Sequence, residues 1–124
     1  RYLQPEYIED IQQTLQQIAA KQYVPDTKTT LQKVAGFAPM KRTEATEMLF
    51  ETVKETYEEM GLPKPHAMMV GGGSDSAYTV LAGVPTICAM GVKGEHNHTP
   101  REYADTASLF ERAKILAACI INRQ

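Results

Sequence analysis

The chain has 124 residues, a formal net charge of -2 and 43% hydrophobic residues, which is the size of one ordinary domain. The evenly spread apolar residues exclude a disordered protein, the scattered Lys and Arg argue against nucleic acid as the main partner, and no apolar run reaches the length of a membrane span. Cys88 and Cys119 lie in apolar stretches, which favours buried thiols over a disulfide and indicates a cytoplasmic protein. The chain opens on Arg1 rather than Met and shows no signal peptide, so we treat it as a possible fragment.

Two secondary-structure elements are predicted before the first glycine- and proline-containing segment, which begins at residue 36. Residues 5–22 predict an amphipathic helix, with a proline at the first helical position and an isoleucine- and leucine-bearing face opposite glutamines. Residues 28–35 alternate roughly and predict a half-exposed strand. The Gly-Phe-Ala-Pro run that follows, residues 36–39, marks a boundary between two structural units.

The second part of the chain reads as strand, helix, strand, helix, after a leading helix at residues 43–60. The uniformly apolar runs 67–70 and 84–90 predict strands covered on both faces, which is typical of a parallel sheet. A brief helix separates them, and a final helix begins after Asp105. We expect that last helix to bury Leu109, Ala113, Leu116 and Ile120. The predicted fold class is therefore α/β.

Two loops follow the predicted parallel strands: GGGSDSAY at residues 71–78 and GVKGEHNHTPREY at residues 91–103. The carboxyl edge of an open α/β sheet is where ligands bind, so both loops are candidates for a site. Three consecutive glycines let backbone N–H groups approach a carboxylate or an oxyanion. The alternative is a strained strand-to-helix turn in which Ser74 or Asp75 only caps the helix.

The second loop carries His96 and His98, which would face the same way in an extended segment and reach one metal ion. Both histidines could instead be solvated. A hydrolytic zinc site needs three protein ligands and a carboxylate base, and each nearby acid has another explanation. Glu95 fits an exposed position, Glu102 a loop anchor and Asp105 a helix cap. The chain therefore does not assemble a complete site by itself.

The glycine turn, the HTPREY loop and the helix beginning TASLFERAKILAA together resemble the C-terminal end of a family of zinc-dependent exopeptidases and amidohydrolases. Members include carboxypeptidase G, acetylornithine deacetylase, succinyl-diaminopimelate desuccinylase, aminoacylase and peptidase T, and the carboxypeptidase G-like members are the most similar. The resemblance implies that residues 1–38 form the distal half of an α+β lid, or dimerisation, domain. It implies that residues 39–124 form the C-terminal segment of a parallel-sheet catalytic domain.

The resemblance also implies site residues. His98, followed by Thr-Pro-Arg-Glu-Tyr, matches the family's late metal-ligand histidine, and His96 is a neighbour. The other ligands of the family's two zinc ions, and its catalytic base, would lie upstream of Arg1. Phe37 stands where carboxypeptidase G has an arginine that holds the substrate carboxylate, so the likeness does not extend to glutamate specificity. The family's substrate-carboxylate turn corresponds to Gly71, Gly72, Gly73 and Ser74.

The sequence therefore predicts a portion of a zinc hydrolase that cleaves a peptide or an N-acyl amino acid at an amide bond next to a free carboxylate. The chain alone is expected to be inactive and to need the upstream part of the same protein. Two alternatives stay open. One is a non-catalytic α/β module that binds a small anion, and the other is a lid-type domain whose role is homodimerisation.

Overall fold

The computed structural model describes residues 2–122. These residues form two compact units, which are described separately below. The first contains the described residues up to Lys41 together with Val70–Val84, and the second contains Arg42–Met69 and the described residues from Pro85 onwards. Within residues 2–122, no helix combines the length and the apolar character that a membrane crossing requires.

The regular structure is mainly helical. A 3₁₀ turn at Pro5–Tyr7 leads into the first helix, and a two-residue antiparallel ladder precedes the last helix. In chain order the elements are α1 (Ile8–Ala20), α2 (Glu44–Glu59), α3 (Ser76–Leu81), β1 (Gly94–Glu95), β2 (Tyr103–Ala104) and α4 (Thr106–Ile121).

The helix ends are set by local capping groups, as the sequence predicts. The Thr43 side chain accepts a hydrogen bond from the backbone N–H of Thr46 at 3.1 Å and begins α2. After α2, Gly61 takes a φ of 67°, and the Leu62 N–H returns to the Tyr57 carbonyl at 2.8 Å. The Asp105 carboxylate accepts from the Ala107 N–H at 3.0 Å and caps α4. These three local predictions are confirmed.

The core of the second unit lies between α2 and α4. Its fully packed members are Val53 and Tyr57 from α2 and Ile115 and Cys119 from α4. Leu62, Ile87 and Met90 pack against this core from the connecting segments. Cys119 is buried as predicted, whereas Cys88 is exposed, so the prediction of a buried thiol is wrong there.

The predicted buried face of α4 is wrong. Leu109, Ala113, Leu116 and Ile120 are exposed, and the buried positions are instead Ser108, Ile115 and Cys119. The physical reason is that α4 is apolar around most of its circumference, so its hydrophobic pattern does not single out one face. Contact with α2 determines which face of α4 is buried.

The half-exposed strand predicted at residues 28–35 and the parallel strands predicted at residues 67–70 and 84–90 are not assigned as strands in the described part of the chain. The apolar run at 67–70 is instead exposed, with 82% of Met68 and 78% of Met69 accessible. A parallel strand needs neighbouring strands to satisfy its backbone, and such neighbours are distant in sequence. The structure thus contains helices and a small antiparallel ladder, and the parallel sheet stays a prediction.

Candidate metal-ligand loop and glycine turn

A short hairpin presents the histidine loop. Gly94 pairs with Ala104 and Glu95 with Tyr103, and the hairpin encloses residues 96–102. The close approach of β1 and β2 explains why residue 94 is a glycine, because a Cβ at this position would collide with the carbonyl oxygen of Tyr103. The sequence signal for this turn was a glycine two residues before His96.

Hydrogen bonds tie the hairpin to the start of α4. The Lys93 N–H donates to the Ser108 hydroxyl at 2.9 Å, and the Asp105 N–H donates to the Lys93 carbonyl at 2.8 Å. The Ser108 hydroxyl in turn donates to the Asp105 carbonyl at 2.6 Å. The Lys93 ammonium pairs with Glu111 at 3.0 Å. Because Ser108 is buried and α4 packs on the core, the base of the histidine loop has a fixed anchor.

The loop itself is a series of tight turns and not the extended segment predicted from the sequence. His96 and His98 have φ values of 61° and 64°, in the left-handed region that ordinary residues rarely adopt. The Thr99 hydroxyl and N–H both donate to the His96 carbonyl, at 2.7 and 3.1 Å. The Glu102 carboxylate accepts from the His98 N–H at 3.1 Å. Two strained positions separated by one residue and held by surrounding bonds are typical of functional loops.

The two histidines have different surroundings. The His96 ring lies 6.2 Å from the Tyr103 ring, centroid to centroid, in a tilted arrangement. The His98 side chain is exposed, and its imidazole forms no hydrogen bond or ion pair with another residue in the part of the chain described. Its backbone is fixed while its ring nitrogens stay accessible. His98 is therefore the better placed of the two to bind an external group.

The acids near this loop have structural roles, as the sequence suggested. Glu102 anchors the loop and Asp105 caps α4. Glu95 is exposed, and its negative charge is the largest cause that raises the pKa of Tyr103 above its ordinary value. No three His, Cys, Asp or Glu side chains converge on a possible metal position among residues 2–122.

The glycine turn is in the first unit and precedes α3. The Ser76 N–H donates to the Ser74 hydroxyl at 3.2 Å, so Ser74 rather than Asp75 caps this helix. Space next to Gly72 is open, whereas a Cβ on Gly73 would lie 2.6 Å from the Phe37 Cγ. The Phe37 ring thus lies against the backbone of the turn. α3 has only six residues, so any anion binding here depends on the turn's N–H groups more than on a helix dipole.

Gly73→Ala should destabilise the chain by about 1 kcal/mol, because the added methyl group displaces the Phe37 ring. Gly72→Ala, which meets open space, is the matched control and should change the free energy of unfolding by less than about 0.5 kcal/mol. Urea titration of both variants measures the difference. In the background of Phe37→Ala the cost of Gly73→Ala should largely disappear, and an unchanged cost would contradict the contact.

The candidate residues fall in two places. Gly71, Gly72, Gly73 and Ser74 belong to the first unit and His98 to the second, so their convergence on one site stays a prediction. Sequence reasoning did not anticipate the cleft beside the turn, where Phe37, Tyr78 and Lys33 meet. The one signal for it was the position of Phe37 after the predicted strand.

Comparison with known proteins gives a family match over most of the chain. The family described as Peptidase family M20/M25/M40 matches residues 6–122. Carboxypeptidase G2 of Pseudomonas sp. (strain RS-16) is 26% identical over 123 residues, which cover 98% of this chain and 30% of that protein. No solved structure matches. Since the family match spans nearly the whole sequence, including the glycine turn and the histidine loop, the chain belongs to peptidase family M20/M25/M40.

Proposed function

We propose that this chain is the C-terminal portion of a zinc metallopeptidase or amidohydrolase that cleaves an amide bond next to a free carboxylate. The substrate would be a peptide or an N-acyl amino acid. The single observation that supports this most strongly is His98, an accessible imidazole on a bonded, left-handed loop in a member of a peptidase family. The chain spans 30% of the length of the curated relative that it matches, so the whole activity is proposed for the longer protein.

His98 fits the role of one zinc ligand by its donor chemistry. A neutral imidazole is a common zinc ligand, and the ring has no competing partner among the residues described. Glu102 would act indirectly, because its bond to the His98 N–H sets the backbone from which the imidazole projects. In the proposed reaction, zinc supplies Lewis acidity toward the amide carbonyl and toward water. The remaining ligands and the general base would come from the rest of the protein.

The glycine turn is proposed to bind the substrate carboxylate through backbone N–H groups. Support comes from the open space beside Gly72, which leaves the backbone accessible there. Gly73 contributes in a different way, because its missing side chain lets the Phe37 ring pack on the turn. Ser74 shapes the turn through its bond to Ser76.

Dimerisation is a second candidate role, and the surface of α1 favours it. Ile11, Leu15 and Ile18 recur at helical spacing along α1 and are all exposed. α1 buries no residue in the described structure. A partner helix or a second copy of the chain would cover such a stripe. Sedimentation of the protein with and without Leu15→Glu would separate this role from hydrolysis.

Hydrolysis assays on the full-length protein and on this 124-residue chain test the main proposal. We expect the full-length protein to hydrolyse N-acyl amino acids, to lose activity on chelation and to regain it with zinc. The 124-residue chain should show no turnover, because its described residues gather too few ligands. Turnover by this chain alone would contradict the proposal, and so would full activity of the longer protein after complete removal of metal.

A further inference from the structure

The first unit contains a half-open cleft of about 310 Å³ next to the glycine turn. Its volume is at the small end of the range for small-molecule sites, about 300–1,000 Å³, and suits an amino-acid derivative better than a long peptide. The residues that line the cleft include Tyr2, Ile8, Lys33, Phe37 and Tyr78. They come from four separate segments of the first unit, so the cleft is a feature of its tertiary structure.

Aromatic rings dominate the cleft. The Phe37 and Tyr78 rings lie 6.5 Å apart, centroid to centroid, with an interplanar angle of 48°. Phe37 is 53% exposed and Tyr78 49% exposed, so both keep apolar surface available toward the opening. A pair of half-exposed rings gains free energy when an apolar group covers it.

The position of Phe37 is fixed by the turn. Its Cβ, Cγ and Cδ2 atoms all lie within 2.8 Å of where a Cβ on Gly73 would be. A ring that packs this closely on the glycine backbone stands directly beside any group the turn holds.

The charge of the cleft further restricts the kind of ligand that it favours. Lys33 carries its only formal charge at neutral pH, and no Asp or Glu lines it among the described residues. A cation among aromatic and aliphatic groups favours a ligand that is both anionic and apolar. Lys33 is the only cation among the lining residues described, and the substrate's first carboxylate takes up its charge. A second carboxylate placed between the rings of Phe37 and Tyr78 would therefore lose hydration without a second cation to pair with.

We propose that this cleft is a specificity subsite, and that Phe37 and Tyr78 hold an aromatic or large aliphatic side chain of a substrate whose carboxylate binds at the glycine turn. Lys33 adds attraction for the anion. This inference rests on the proposed function, since it names the substrate class of the same site. It makes Phe37 a specificity-determining residue and favours apolar over acidic side chains.

The test compares N-acetyl-phenylalanine, N-acetyl-alanine and N-acetyl-glutamate as substrates of the full-length protein. The phenylalanine derivative should have the highest kcat/KM, by at least about tenfold over the glutamate derivative. Phe37→Ala should lower kcat/KM for N-acetyl-phenylalanine about tenfold more than it lowers kcat/KM for N-acetyl-alanine. Phe37→Leu should fall between, because it keeps part of the apolar surface.

Tyr7→Ala is the matched control, because it removes an exposed aromatic ring of the same unit that does not line the cleft. It should leave all three rates unchanged. Equilibrium binding of N-acetyl-phenylalanine to wild type and Phe37→Ala, measured by calorimetry on the chelated and therefore inactive full-length protein, reports on the cleft independently of turnover. A preference for glutamate, or an equal loss for the phenylalanine and alanine derivatives, would overturn the subsite alone. Absence of hydrolysis for all three compounds would instead overturn the proposed function.

Discussion

His98→Ala is expected to reduce the zinc content of the full-length protein and to lower kcat/KM by more than about a hundredfold. Loss of residues that only support a metal ligand already costs about 10–100-fold, and removal of the ligand itself should cost more. The imidazole has no bonding partner among residues 2–122, so its removal leaves the loop's own hydrogen bonds in place. Metal analysis after exhaustive dialysis, together with steady-state kinetics, measures both effects.

His96→Ala is the control for this experiment, because it removes a second exposed imidazole from the same loop. Its ring lies near Tyr103 and is not expected to hold metal, so zinc content should stay at the wild-type level. A larger loss with His96→Ala than with His98→Ala would reverse the roles of the two histidines. Unchanged zinc in both variants would remove this loop from the metal site.

Ile115→Ala should destabilise the chain by about 2–5 kcal/mol, the cost of a cavity in a core. Ile115 is 0% exposed and packs with Val53 and Tyr57 between α2 and α4. The loss should also loosen the histidine loop, because the Ser108 hydroxyl that anchors the loop is on the same buried face of α4. Urea unfolding of the 124-residue chain measures the change.

Ile120→Ala is the matched control in the same helix, since Ile120 is 64% exposed. Its effect on the free energy of unfolding should stay within about 0.5 kcal/mol. The comparison also decides between the two faces of α4. A greater cost at Ile120 than at Ile115 would restore the face expected from the hydrophobic pattern and contradict the packing described here.

Helices were predictable from the sequence because their signals are local. Thr43 and Gly61 mark the ends of α2, and Asp105 marks the start of α4, each through bonds within a few residues. The burial of α4 was not predictable in the same way. Its apolar residues surround the helix, and the face that packs depends on α2, whose core residues lie about 60 residues earlier in the chain.

Strands were the harder part of the prediction. Residues 67–70 have the uniform apolar character of a covered parallel strand, yet the described structure leaves them exposed. Pairing is a non-local property, because the strand itself does not contain its hydrogen-bonding partner. The short β1–β2 hairpin formed where the partner is nearby, around a glycine that tolerates close contact.

Site residues were predicted from their neighbours in sequence, and their geometry was not. The sequence singled out His98 and the acids beside it, and Glu102 and Asp105 have the structural roles expected of them. The left-handed turns at His96 and His98 were missed, because a positive φ is uncommon even for histidine, although histidine adopts it more often than most residues. The cleft at Phe37 required contacts between segments far apart in the chain.

The most direct test of the central claim is a crystal structure of the full-length protein with anomalous scattering recorded at the zinc edge. We expect a zinc ion about 2.0–2.1 Å from an imidazole nitrogen of His98. A fully loaded metal site with the His98 imidazole in bulk solvent, or with His96 bound in its place, would contradict it.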